Sequence, residues 1–219
     1  MILRYLFIIS LLSFVISGCK KKSEDKEAPK VTQIDGLGTL YEAIPEQSII
    51  YWVGSSAGGS HNGSLKIKKS NLEINPHGQL LKGSFIIDMN SLTNLDITDA
   101  GEKKDLEDHL KDADFFATDS YPEADFIVTN IAPIIDSITN QFVKGDLNIK
   151  GISNPIEFKA QILATGNSAL ITVPEFTIDR TRWNINYKSS KILDIIKDEL
   201  ISDDIKISMK IVAAKKNVY

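Results

Sequence analysis

From Ser48 onward apolar and polar residues alternate along the chain, the pattern of strands that bury one face. Ile156-Glu157-Phe158-Lys159-Ala160-Gln161-Ile162 and Ile205-Lys206-Ile207-Ser208-Met209-Lys210-Ile211 follow it without error. Leu65–Lys68, Phe85–Met89 and Leu147–Lys150 follow it more loosely, and 48–54, 124–131 and 168–178 complete a set of about eight predicted strands. Asn75-Pro76-His77-Gly78, Ser153-Asn154-Pro155 and Thr165-Gly166-Asn167 supply turn residues between them. Strands joined by short turns favour antiparallel pairing, so the chain reads as all-β. About eight such strands can close into a barrel, which removes both edges and leaves room for one small ligand. A β-sandwich satisfies the same periodicity.

Two stretches break the alternation. Asp99 to Asp112 reads as a short helix, with Asp99 as N-cap, Glu102 in the capping-box position and Leu106 and Leu110 sharing a face. Lys191 to Leu200 places Ile192, Ile195, Ile196 and Leu200 on one helical face. Both are expected to cover an end or face of the sheet.

The N-terminus has a different character. Tyr5 to Ile16 is an apolar run after Arg4, interrupted only by Ser10 and Ser13. It falls short of the roughly 20 residues a membrane-spanning helix needs and has the length of a signal-peptide core. It ends Ile16-Ser17-Gly18-Cys19 before Lys20-Lys21-Lys22. Small residues followed by cysteine at that place resemble the lipobox of bacterial lipoproteins. That resemblance implies a signal peptide over 1–18, an acylated Cys19 and a protein anchored in the bacterial cell envelope on the periplasmic or outer-membrane side. Residues 19–45 read as a flexible tether, polar and without sustained periodicity, and 46–219 as the barrel domain.

Composition narrows the chemistry. The one cysteine excludes an internal disulfide and any two-cysteine metal knuckle. The net charge of -4 argues against nucleic acid as partner. Between Asp96 and Asp125 eleven acids face three lysines, a local surface that would repel polyanions. No Gly-x-Ser-x-Gly, phosphate loop or free thiol nucleophile is present, so the reading is a binding protein and not an enzyme.

Asp108-His109-Leu110-Lys111-Asp112-Ala113-Asp114-Phe115-Phe116, then Tyr121-Pro122 and Phe126, form a recognisable series. Trp52-Val53-Gly54, His61-Asn62-Gly63, Gly145 to Ile152 and Asp179-Arg180-Thr181-Arg182-Trp183 follow in matching order. Together they resemble the YceI-like family of exported polyisoprenoid-binding proteins, over roughly Ser48 to Ala214. The resemblance implies a lipocalin-like antiparallel barrel with one or two short helices. Its apolar interior would hold an isoprenoid lipid, such as an isoprenoid quinone or polyprenyl compound, with no other cofactor.

Large inward-facing apolar residues are then the expected tunnel lining: Leu65, Ile67, Phe85, Phe126, Leu147, Ile149, Phe158, Phe176, Ile207 and Met209. The same residues would equally fill a solid core. Phe115-Phe116 is expected to wedge the helix onto the barrel. His61, His109, Arg180 and Arg182 are the polar candidates for a ligand head group, arginine through its paired donors. Asp105, four residues before His109, could orient that imidazole. His77 reads as an exposed turn residue. The three histidines include no close pair of zinc-helix spacing, and a metal-assisted hydrolase built on His61 and His109 is a minor alternative. The main alternative is an interaction or stress lipoprotein with a solid core and an acidic surface at 96–125 that meets a basic partner.

Overall fold

The computed structural model describes residues 38–136, 138–191 and 200–217. The expected signal peptide, Cys19 and most of the tether lie outside those residues, as does the 192–199 portion of the second expected helix.

Among the described residues nine strands and one α-helix are formed: β1 Thr39–Ala43, β2 Ile49–Ser56, β3 Gly59–Ile74, β4 Leu80–Asn94, α1 Ala100–Lys111, β5 Glu123–Pro133, β6 Gln141–Ile149, β7 Ile152–Thr165, β8 Ser168–Asp179 and β9 Asp204–Lys215. Each strand from β2 to β9 pairs antiparallel with the next, and β9 returns to β2 with Trp52 opposite Ile207. The sheet is therefore a closed eight-strand barrel, and the sandwich is excluded. Closure satisfies every edge by pairing, which a disulfide-free antiparallel sheet otherwise has to protect by other means.

β1 corrects the domain boundary. Thr39–Ala43 pairs with β3 on one side and β9 on the other, continuing the line of β2 beyond a short 3-10 turn at Pro45–Gln47. Tyr41 and Ala43 turn inward and are buried while Leu40 faces out. The last residues of the expected tether thus belong to the barrel. Five residues with only two inward apolar positions carry too little periodicity to be seen in the sequence.

Of five register shifts in the sheet, three explain why some strands alternate loosely. The β3–β4 register shifts between Ile67 and Lys69, and the inward set moves from Leu65 and Ile67 to Ser70, Leu72 and Ile74. The β8–β9 register shifts between Val173 and Phe176, moving it from Ala169, Ile171 and Val173 to Phe176 and Ile178. A third shift lies between Val128 and Asn130. Each bulge inserts one unpaired residue, bends the strand and reverses the parity of every side chain beyond it.

The barrel has two unlike poles. One carries the β3–β4, β5–β6 and β7–β8 turns together with the start of β1 and the end of β9, and it is filled by Tyr41, Leu72, Ile74, Leu80, Ile162 and Ile211. The other carries the β2–β3 hairpin, α1 and the β8–β9 connection. Asp99 caps α1 as expected, accepting from the N–H groups of Gly101 and Glu102. No residue of α1 is buried, so the helix lies on the barrel as a cover.

Candidate ligand-binding cavity

A row of four phenylalanines divides the interior. Phe85, Phe126, Phe158 and Phe176, from β4, β5, β7 and β8, stand with successive ring centroids 6.4, 5.5 and 5.0 Å apart. The intervening strand β6 contributes Gly145, and a Cβ built there would lie 2.3 Å from Cζ of Phe126. Only glycine lets the Phe126 ring cross β6 toward Phe158. Below the row lies a void of about 20 Å³ among Leu80, Val128, Val143, Ile162, Ile171 and Val173. Above it a cavity of about 240 Å³ runs to the helix pole.

All ten residues expected to line a tunnel face this larger cavity. Leu65, Ile67, Leu147, Ile149, Ile207 and Met209 form walls above the phenylalanine floor. Trp52, Ile87, Met89, Ala124, Ile178 and Ile205 extend the walls without having been among the expected lining, although each occupies an inward strand position. An interior with this much empty space does not fit the solid-core alternative.

The roof is assembled from α1 and two connections. Leu106 and Leu110 of α1 turn into the cavity beside Phe115 and Phe116. Glu107, on the neighbouring helical face, fastens the helix to the end of β4: one carboxylate oxygen accepts from the Thr93 hydroxyl at 2.7 Å and the Asn94 N–H at 2.8 Å. Burial pushes the Glu107 carboxyl up, but these two hydrogen bonds and the charges of Lys103 and Lys111 outweigh it and hold the group below its ordinary value. Phe115 is buried against Phe116, His109 and Tyr187, and Lys150 donates to its carbonyl at 2.8 Å. Trp183, fully buried, closes one corner and donates from Nε1 to the Leu147 carbonyl at 2.9 Å.

The four head-group candidates separate. His61 faces the cavity at its rim with Nδ1 2.9 Å from Oδ2 of Asp96. His109 lies at the roof with its ring edge-on to Tyr187 at 4.5 Å, and its Nε2 is 3.5 Å from Oδ2 of Asp114. Asp105 is not its partner; the acid that reaches it comes from beyond the helix end. Arg180 borders the cavity but is 1% exposed, and Nε, Nη1 and Nη2 donate to the carbonyls of Ser202, Ile185 and Ile201 at 2.9, 2.7 and 3.0 Å. Asp203 lies 3.5 Å away. Burial draws its pKa down and Asp203 and Asp179 oppose that shift, so the cation is held in place by a carboxylate and three carbonyls. It ties together the two ends of the β8–β9 connection, which displaces the expected head-group role. Arg182 corrects the expectation more simply. It lies outside the cavity, donating to the Pro155 carbonyl and covering the Trp183 ring at 5.4 Å. His77 is exposed in its turn, as read.

Lined almost wholly by apolar side chains, closed at one end and opening beside a polar rim, this interior defines a lipocalin-like binding barrel. A family model described as YceI-like domain matches residues 41–213, and the chain belongs to that family. Among curated proteins it is similar to Protein YceI of Shigella flexneri, 32% identical over 59 residues, covering 27% of this chain and 29% of that one. It is also similar to a UPF0312 protein of Staphylococcus aureus, 29% identical over 90 residues, covering 38% and 48%. The matched stretches thus span less than half of either relative. Among solved structures, BcnA of Burkholderia cenocepacia shares the fold with a TM-score of 0.62 at 20% identity, covering 78% of this chain and 99% of that chain. A polyisoprenoid binding domain from Saccharophagus degradans shares it with a TM-score of 0.54 at 14% identity, covering 80% and 98%.

Proposed function

We propose that this protein binds an isoprenoid lipid, an isoprenoid quinone or a polyprenyl compound, in the barrel interior, and holds or carries it in the bacterial cell envelope. The observation that carries the reading is the cavity of about 240 Å³ above the phenylalanine row, walled by strand residues that present almost no polar atoms. Such walls offer a long apolar chain burial at about 25 cal/mol per Å² and offer a polar solute nothing in return for its lost hydration. Family membership and the polyisoprenoid-binding name of the Saccharophagus neighbour support the ligand class. Binding of this kind needs no catalytic group and no metal. An acylated Cys19 would anchor the barrel to a membrane surface, since several acyl chains hold effectively for good.

Ile207→Trp tests the cavity directly. The added ring projects into the space a ligand would fill, so retention of a radiolabelled polyprenol through gel filtration is expected to fall at least about tenfold. Because the ring enters empty volume, stability is expected to change by less than the roughly 1–3 kcal/mol that overpacking a filled core costs. Unchanged retention with a large loss of stability would mean that the ligand does not occupy this space.

A further inference from the structure

The rim of the cavity contains one polar device that the apolar walls do not need. Asp96, just past the end of β4, accepts with Oδ1 from the Asn62 N–H and from Nδ2 of Asn94, each at 2.8 Å. Asn94 is fully buried, and its orientation is fixed because its Oδ1 accepts from the N–H groups of Asp96 at 3.2 Å and Ile97 at 2.8 Å. The second oxygen of Asp96 is thereby aimed at Nδ1 of His61, 2.9 Å away. Burial raises the Asp96 carboxyl, but the hydrogen bonds from Asn62, His61 and Asn94 together bring it below its ordinary value. An ionised carboxylate only accepts, so the proton of the neutral imidazole sits on Nδ1. The unprotonated Nε2 has no partner among the described residues, and the ring borders the cavity.

We propose that the cavity selects isoprenoids headed by a hydroxyl, a polyprenol or a quinol in preference to a quinone, because His61, locked by Asp96, accepts the O–H proton of the head at Nε2. This rests on the isoprenoid-binding reading above. A carbonyl or ether oxygen brings no proton and gains nothing from that lone pair.

The network also dictates how to abolish the preference. In Asp96→Asn the amide oxygen is claimed by the two donors from Asn62 and Asn94, so the amide NH2 must face His61. That NH2 donates to Nδ1, which moves the imidazole proton to Nε2 and turns the acceptor into a donor. The loss of a carboxylate partner changing a histidine tautomer has precedent in the serine-protease triad.

The test uses three probes of one chain length with the full protein at about pH 8.5, above the ordinary imidazole range: geranylgeraniol, its methyl ether, and the hydrocarbon lacking the oxygen. Quenching of Trp52 and Trp183, both at the cavity wall, reads binding. The wild type is expected to bind the alcohol about fivefold more tightly than the other two, the scale of one hydrogen bond at a partly wet rim. His61→Phe is expected to bind all three within about twofold of one another. Asp96→Asn is expected to bring the ether up to the affinity of the alcohol. Equal binding of the three by the wild type, or a preference that survives His61→Phe, overturns the proposal while leaving isoprenoid binding intact. Binding of none of them, hydrocarbon included, removes the isoprenoid reading and the head-group proposal with it.

Discussion

At the scale of single residues, Gly145 and Phe158 determine the depth of the cavity. Gly145→Ala is expected to destabilise the barrel by about 1–3 kcal/mol, because a methyl there overlaps the Phe126 ring and the Ile127 carbonyl, 2.5 Å from the built Cβ. Denaturant unfolding measures that cost. Phe158→Ala removes one ring of the floor and is expected to cost about 3–5 kcal/mol. It also joins the cavity to the void of about 20 Å³ below, so the variant is expected to shift its preference toward longer chains in a series of polyprenols compared at matched folded fraction. A floor that does not limit chain length would leave that preference where it was. The lining residues were legible in the sequence because strand periodicity places Leu147, Ile149, Phe158, Ile207 and Met209 on the inward face. The rim was not. His61 and Asp96 lie 35 residues apart and meet only through the pairing of β3 with β4. Arg180 was legible as chemistry but not as structure, because its partners are carbonyls, and every residue has one.

At the scale of elements, α1 is a cover held by few bonds, and Glu107 is the most buried of them. Glu107→Ala leaves the Asn94 N–H and the Thr93 hydroxyl without their charged acceptor and is expected to cost about 1.5–3 kcal/mol. Hydrogen exchange is expected to quicken in α1 and at the end of β4 while β6 and β7 keep their protection; uniform loss across the barrel would show that the helix is not a separate unit. Acid should act on the same pole. Asp96 and Glu107 on one side of the mouth and Asp179 on the other are all held below their ordinary values. At Asp179 burial raises the carboxyl, but bonds from Lys191 and Thr181 more than offset it. A depressed carboxylate lends stability that is complete above the unfolded value of about 4 and is lost as pH falls through the lower folded value. Thermal midpoints are therefore expected to hold from neutrality down to about pH 5 and to decline below about pH 4, with a shallower decline in Asp179→Asn. An unchanged slope in that variant would assign the acid sensitivity elsewhere. The helix and its cap were plain in the sequence, since Asp99 precedes an apolar spacing of four. The bulges after Ile67 and Val173 were not, because one extra residue reads as a broken pattern and not as a strand that continues with its faces exchanged.

At the scale of the whole molecule, the two poles serve different tasks. One is packed solid and receives the chain at β1; the other is hollow, opens beside His61 and gathers α1, Asp96, Asp114 and Asp203 around its roof. The acidity seen as a run between Asp96 and Asp125 is thus a property of the end at which a ligand would enter. Part of it has structural duties, since Glu107, Asp96 and Asp99 fix the helix and the rim. The central claim concerns what fills the hollow half. The protein, produced in a bacterial periplasm as residues 20–219 and purified without detergent, would be extracted with organic solvent and the extract analysed by mass spectrometry. About one isoprenoid per chain is predicted, with none carried by Ile207→Trp. An extract without isoprenoid, repeated after incubation with polyprenols and quinones, would contradict the account.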